Sequence, residues 1–267
     1  MGLVEILILA VVQGLTEFLP VSSSGHLVVA EAVLQALGRG DTLPDLELVE
    51  VNIVLHLGTL LAVIVFYWQR VWRLLGEDRR VAGLLIVGTL PAVVVGLPLK
   101  KLFPAVLTNP LLAGAMFFVT AAMLIWASRR PPGDGEYMQL TWSKSLLIGA
   151  WQAFAILPGV SRSGSTIVAG LSCGLSRTHA ATFAFLLAIP AIGGAGVLEL
   201  LDMFDAEPSG TPWTYLVAGA AASFLVGLGS LWLLIRIVEH GRLALFALWL
   251  IPLGIAVTSW QLGFFSI

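Results

Sequence analysis

The stretch QGLTEFLPVSSSGHL, Gln13 to Leu27, sets a glutamate, a histidine, a proline and three consecutive serines inside an otherwise apolar N-terminal region. A carboxylate left in hydrocarbon is costly, so a polar island of this kind needs either water or a partner. Which of the two depends on what surrounds it. With 58% hydrophobic and 11% charged residues and a mean hydropathy of +0.96, the chain lies outside the range of soluble domains and reads as a polytopic membrane protein in contact with membrane lipids. Its basic and acidic totals, 14 and 16, leave no polybasic face for nucleic acid. The single cysteine, Cys173, cannot form an internal disulfide and reads as a small packing residue. Glu5 stands where a signal peptide would carry lysine or arginine, so no cleavage is expected.

Hydrophobic runs long enough to cross a core of roughly 30 Å, about 20 helical residues, fall at approximately 51–69, 81–99, 111–128, 178–201, 213–236 and 243–262. Four others, 2–18, 24–38, 145–157 and 164–175, are too short or too broken. At 1.5 Å per residue they reach only about 18 to 25 Å and read as half-helices. Irregular backbone at membrane depth is tolerated only where it is buried in protein or lines a cavity, so two such pairs imply two re-entrant hairpins. The expected fold is all-α: six transmembrane helices plus two re-entrant helical hairpins.

The two breaks resemble each other. EFLPVSSSGHL and AILPGVSRSGST both run from an apolar residue through Leu-Pro to a Ser/Gly cluster and then an apolar half-helix, and Gln13 and Gln152 precede the respective prolines. This pattern predicts one membrane domain, residues 1–267, made of an internal repeat: about 1–130 and about 140–267, each a hairpin plus three spans. Three spans per half invert the second copy relative to the first. If 70–80, 129–144 and 236–242 are cytoplasmic, most of the arginines lie inside. The opposite segments carry Asp41, Asp45, Glu47 and Glu50, and Asp202, Asp205 and Glu207, with Lys100 and Lys101 the exception; both termini then face outward. Trp68, Trp72, Trp126, Trp142, Trp213 and Trp260 fall near span ends and read as interfacial anchors.

In this arrangement the hairpins enter from opposite sides and their tips meet near the midplane, pairing Glu17 with Arg162. Glu5, Glu31, Arg177 and Glu199 lie near helix ends and read as interfacial. Ser22 to Ser24 can cap a half-helix beginning near Gly25, and Ser161 and Ser163 one beginning near Gly164. Both breaks then aim free N–H groups and the positive ends of helix dipoles at one buried place. Gly25, Gly159 and Gly164 allow close approach of a ligand or of the facing hairpin. The fork of Arg162 suits phosphate oxygens, so the predicted ligand is a phosphate. Gln13 and Glu17 share a helix face, and two oxygen donors beside a polyphosphate suit a divalent cation, Mg²⁺ or Ca²⁺. His56 reads as a satisfied core histidine, and Gly193, Gly194 and Gly196 as close helix packing.

The first motif, Q-G-L-T-E-F-L-P-V-S-S-S-G-H, and the second, P-G-V-S-R-S-G-S-T from Pro158 to Thr166, closely resemble the two signatures of the bacterial undecaprenyl-diphosphatase family, the bacitracin-resistance type. The resemblance covers nearly the whole chain in length and span order and includes HLGTLLAV, His56 to Val63. It implies an integral inner-membrane enzyme that removes the terminal phosphate of undecaprenyl diphosphate, regenerating the lipid carrier for wall polymers, with a periplasm-facing site and a divalent cation. It places a Glu or Gln at Gln13, the acid at Glu17, a serine at Ser23, the histidine at His26 and the phosphate arginine at Arg162. Many members carry glutamate where this chain has Gln13, which gives that position a supporting role. Ser22, Ser24, Gly25, Ser161, Ser163, Gly164 and Thr166 are the remaining expected substrate contacts, though capping alone explains some of the serines.

The nucleophile is Ser23 activated by Glu17 or His26, or His26 itself, or a water molecule; Ser23 is preferred because a serine at a helix start sits where the phosphate should be. Two rivals share these features. A lipid-phosphate flippase would need much the same midplane anion site. A second membrane phosphatase superfamily carries P-S-G-H and an S-R followed by histidine, but here Val168 stands at the histidine position and no K-x-x-x-x-x-x-R-P precedes it. The oligomeric state, a homodimer included, stays open, as does the prenyl chain length.

Overall fold

A computed structural model describes residues 2–36, 45–131, 133–204 and 211–265. The chain forms α1 (Leu3–Thr16), α2 (Ser23–Ala36), α3 (Asp45–Phe66), α4 (Trp68–Leu74), α5 (Arg79–Leu102), α6 (Pro104–Leu107), α7 (Pro110–Ser128), α8 (Trp142–Phe154), α9 (Arg162–Ser172), α10 (Arg177–Phe204), α11 (Trp213–Glu239) and α12 (Ala247–Gln261). Five of these helices, α5, α7, α10, α11 and α12 with its preceding turn, are long and apolar enough to cross a membrane; α3 with α4 makes a sixth, bent by 84°. The all-α expectation with six spans therefore holds.

The bend is a difference from the sequence reading, which placed 70–80 in a loop. Trp68 to Leu74 is helical and turns aside instead of continuing α3. Its Trp68 and Trp72 are exposed, and Arg70 and Arg73 share the segment. Carrying two guanidiniums onward into hydrocarbon is costly, whereas lying sideways suits a short Trp/Arg helix at an interface.

The half-helices are short, as expected. α1 has 14 residues and α9 has 11, so they extend about 21 and 17 Å. The half-helices that follow the breaks, α2 and α9, begin at Ser23 and Arg162, two residues before the expected starts. Small residues let each entering helix lie close to a span of the other half. A methyl built on Gly219 would lie 2.7 Å from Ile6, and one on Gly14 would lie 2.8 Å from Val226, so α1 runs parallel to α11. One on Gly83 would lie 2.8 Å from Trp142, and one on Gly149 would strike the Gly88 carbonyl, so α8 runs parallel to α5.

The basic segments gather at one end of the molecule. Arg70 donates to the Tyr137 hydroxyl at 3.3 Å, Arg80 donates to the carbonyls of Met138 and Leu140, and the Ser128 hydroxyl accepts from the Ala244 amide at 2.7 Å. Because α5 starts and α11 ends at this basic end, α8 enters from it and α1 from the opposite one.

Both breaks are encased in protein. Phe18, Val21, Ile167 and Val168 belong to the main core beside Phe117, Phe183, Phe185 and Leu186, and every residue of α9 from Ser163 to Gly170 is buried. Irregular backbone at depth is thus surrounded by protein, not lipid. One packing expectation fails: methyls on Gly194 and Gly196 would meet nothing within 4 Å, and one on Gly193 only Leu60 at 3.9 Å. These glycines are open positions, not close helix contacts. Asp41, Asp205 and Glu207 and the side chains of Asp45, Glu47, Glu199 and Asp202 lie outside the described residues.

Candidate active site

The site begins with how the first break turns. Ser22 is the only non-glycine described residue with positive φ, at 70°, a conformation L side chains adopt rarely. Its own hydrogen bonds hold it there. Its hydroxyl accepts from the amides of Gly25 at 3.3 Å and Gly159 at 3.2 Å, and its carbonyl accepts from Nδ1 of His26 at 2.7 Å. One serine therefore caps α2 and also grips the second break. The two breaks meet without side chains between them: a methyl on Gly25 would lie 2.6 Å from the Gly159 amide nitrogen. Gly159, at φ +90°, could not carry one either, since it would strike the Ala113 carbonyl. On the other side Ser161 caps α9, its hydroxyl accepting from the Gly164 amide at 3.1 Å, and Ser163 contacts Ser161 at 3.1 Å.

With the caps assigned, Ser23 stands apart. Its hydroxyl donates to Oε2 of Glu17 at 3.3 Å. The other carboxylate oxygen, Oε1, accepts from Nη2 of Arg162 at 2.6 Å. Gln13, one turn earlier on α1, donates its amide to Oε2 at 3.2 Å. The expected Glu17–Arg162 pair thus forms across 145 residues, with Ser23 and Gln13 on it. Arg162 spends one nitrogen on Glu17, while its buried Nη1 has no partner among the described residues. A guanidinium half committed in this way can take a phosphate oxygen without first losing its orientation.

Glu17 and Arg162 line two cavities. One is a small chamber of about 40 Å³ in which five hydroxyl residues, Thr16, Ser22, Ser23, Ser24 and Ser161, join those two, with Ala155 and Val160 completing the wall. The other is a larger cleft of about 420 Å³, polar at its inner end through Glu17, His56, Gln152 and Arg162 and apolar along α5 and α10. The acid–guanidinium pair is common to both.

Not every expected residue reaches this place. His26 lines neither cavity. Its Nδ1–H is committed to the Ser22 carbonyl and its Nε2 accepts from the Trp249 indole at 2.8 Å, with the two rings stacked at 6.0 Å. The ring braces the Ser22 turn. Thr166 bonds back to the carbonyls of Arg162 and Ser163 within α9 and lines neither cavity. Gly164 packs on Pro20. Conversely, His56 was read as a core residue, yet its Nε2 lies 3.8 Å from Glu17 and it lines the cleft. Thr120 was missed altogether: fully buried on α7, it donates to the Gly159 carbonyl at 2.8 Å and accepts from the Ser161 amide at 3.1 Å, fixing the second break. Its signal was a lone hydroxyl in the apolar run FFVTAAML. Trp249 carried no signal beyond its type.

Fold and site together define a class: a polytopic helical membrane protein in which two broken helices join one carboxylate, one guanidinium and one serine hydroxyl inside the bundle. Within that class, the family model described as bacitracin resistance protein BacA matches residues 6–256. The chain belongs to that family. Among curated relatives, the undecaprenyl-diphosphatase of Rhodopirellula baltica is 52% identical over 96% of this chain and 96% of its own. That of Desulfatibacillum aliphaticivorans is 39% identical, over 96% and 98%, and that of Methanosphaera stadtmanae 34%, over 96% of each.

Proposed function

We propose that this protein is a membrane phosphatase that hydrolyses undecaprenyl diphosphate to undecaprenyl phosphate and inorganic phosphate. The observation that carries the reading is Glu17 held between the Arg162 guanidinium and the Ser23 hydroxyl at the junction of a hydroxyl-lined chamber and an apolar cleft. Such a junction suits a ligand with a phosphate at its tip and a hydrocarbon tail behind it. The names of the relatives, undecaprenyl-diphosphatase, support the same substrate.

In the mechanism this supports, Glu17 accepts the Ser23 proton as the Ser23 oxygen attacks the terminal phosphorus. The bond from that phosphorus to the bridging oxygen breaks, and the lipid phosphate leaves as an anion that needs no proton. Water then attacks the phosphoserine: the protonated Glu17 returns its proton to the leaving Ser23 oxygen, water's oxygen stays on phosphorus with one hydrogen as inorganic phosphate, and its other proton passes by way of Glu17 to solvent. Arg162 and the positive ends of α2 and α9 offset the charge spread over the transferring group. Ser23 is preferred over His26 because its hydroxyl already points at the acid, whereas both ring nitrogens of His26 are engaged.

A divalent cation, Mg²⁺ or Ca²⁺, fits this donor set in one way only. Among the described residues no three His, Cys, Asp or Glu side chains group as ligands, so Glu17 would hold the ion together with the substrate's own phosphates, and Gln13, whose amide nitrogen faces Glu17, would add its oxygen once the amide turns over. When bound it would neutralise charge on the diphosphate.

The cleft walls run from Thr89 to Lys100 on α5 and from Pro190 to Leu198 on α10, away from the basic end. With the basic end cytoplasmic, the site opens to the periplasmic side of the inner membrane. The enzyme would then recycle the lipid carrier for cell-wall synthesis, and bacitracin resistance follows from the same activity. The exchange of partners between halves, α1 on α11 and α8 on α5, supports the inverted repeat. A lipid-phosphate transporter is the alternative that shares this anion site, and phosphate release in detergent, where no gradient exists, separates the two. Glu17→Ala should abolish release while leaving the protein folded; near-normal turnover would refute the assignment.

A further inference from the structure

Gln152 has no assigned task. It occupies the last turn of α8, as Gln13 does in α1, and only 2% of it is exposed. Gln13 uses its amide on Glu17. Neither Oε1 nor Nε2 of Gln152 has a hydrogen-bond partner among the described residues. Burying an unpaired carboxamide is unfavourable, and a methionine of similar volume would fill the same place without that cost. A chain that keeps glutamine there is using the amide for something that arrives.

What arrives is defined by the neighbours. Gln152 lines the inner end of the large cleft with Glu17, His56 and Arg162, and is absent from the small chamber. Arg162, whose unpaired Nη1 is the other buried donor here, lines both. A diphosphate threaded through this junction puts its terminal phosphate in the hydroxyl-lined chamber. Its second phosphate then lies in the inner end of the cleft, where the apolar walls at Val93, Leu97, Ile156 and Ile192 begin. Building on the phosphatase reading, we propose that Gln152 binds the phosphate that stays on the lipid, its Nε2 donating to a non-bridging oxygen. Gln152 is thus a substrate-binding residue that tells a lipid-borne phosphate from a free one.

The test is Gln152→Met, with Gln152→Glu as a second, isosteric variant should the first fail to fold. A contact kept from ground state to transition state changes KM and leaves kcat. KM for polyprenyl diphosphate and the inhibition constant of polyprenyl monophosphate should both rise about tenfold to a hundredfold, the range for one hydrogen bond to a charged group. Inhibition by inorganic phosphate should be unchanged, and thermal stability of the Met variant in detergent equal to or above wild type. Wild-type KM and monophosphate inhibition in either variant would overturn the proposal. Equal weakening of monophosphate and inorganic phosphate would also overturn it, since Gln152 would then serve the chamber. A wild-type protein that releases no phosphate would refute the phosphatase reading instead. Stabilisation of wild type and variant by added polyprenyl monophosphate would in that case still test Gln152.

Discussion

Gly25→Ala tests the joint between the two breaks, on which every functional distance depends. The added methyl would lie 2.6 and 2.7 Å from the nitrogen and Cα of Gly159 and 2.8 Å from Cε1 of Phe117, against an ordinary contact of 3.4 Å or more. One break must retreat by about 0.8 Å to restore normal contact. Gly159 has little room to yield, because a methyl built on it would strike the Ala113 carbonyl and lie 2.8 Å from Met116, and its φ of +90° is already restricted. The Ser22–Gly159 hydrogen bond, 3.2 Å long, would stretch past its useful range. Arg162, three residues beyond Gly159, would shift relative to Glu17 and Ser23. Overpacking of this kind costs about 1–3 kcal/mol, and a misplacement of about 1 Å at reacting groups lowers turnover about a hundredfold. Phosphate release from a polyprenyl diphosphate in detergent should therefore fall roughly thirtyfold to a hundredfold in kcat, with a lower apparent Tm. Gly229→Ala is the control: a methyl there meets nothing within 4 Å, and activity should not change. A Gly25→Ala variant with wild-type kcat would refute the idea that contact between the breaks sets the site.

Arg162→Lys should weaken both KM and kcat, because a point charge cannot hold Glu17 through one nitrogen and a phosphate oxygen through another; a change confined to KM would contradict this. Ser23→Ala should lower kcat at least about a thousandfold. Acid quenching of the wild type with labelled substrate should trap an acid-stable phosphoserine at residue 23. An acid-labile adduct would point to His26, and no adduct to direct attack by water. Removal of divalent cations with a chelator should suppress release, and Mg²⁺ or Ca²⁺ should restore it; full activity in the chelator would leave Gln13 without the role given to it.

The fold was legible because its signals are long and repeated. Spans of about 20 apolar residues and half-helices ended by Leu-Pro-Ser/Gly leave few arrangements for a chain that must satisfy its backbone inside a membrane. Glu17 and Arg162 were legible for a related reason: each is an ionisable group too deep to be left alone. What escaped were residues whose role depends on rotation about a helix. His56 and Thr120 sit in spans that are apolar on most faces, and the direction each points is fixed by tertiary packing that no local pattern encodes. Near Tyr67 the drop in hydropathy marked the end of the span, but not that Trp68 to Leu74, with Arg70 and Arg73, stays helical and turns aside. The glycine cluster at 193–196 misled in the opposite sense, since small residues signal close packing and empty cleft wall equally well.

The joint also separates the two functional readings. Moving a lipid headgroup from one face to the other through a midplane site requires the two halves to part around it. Here the parting surfaces are tied by the Ser22 hydroxyl on the Gly159 amide, by Thr120 on the Gly159 carbonyl and the Ser161 amide, and by Glu17 on Arg162. Opening them would strip four hydrogen bonds, three of them buried, with buried groups left unpaired at about 1–3 kcal/mol each, and would empty the contact between Gly25 and Gly159. Hydrolysis asks for none of this. In the proposed hydrolysis the diphosphate would come in along the cleft to the Glu17–Arg162 pair that lines both cavities, and the lipid product would leave by the same path. Cross-links that would obstruct a carrier are, for a phosphatase, what keeps Glu17, Ser23 and Arg162 in register.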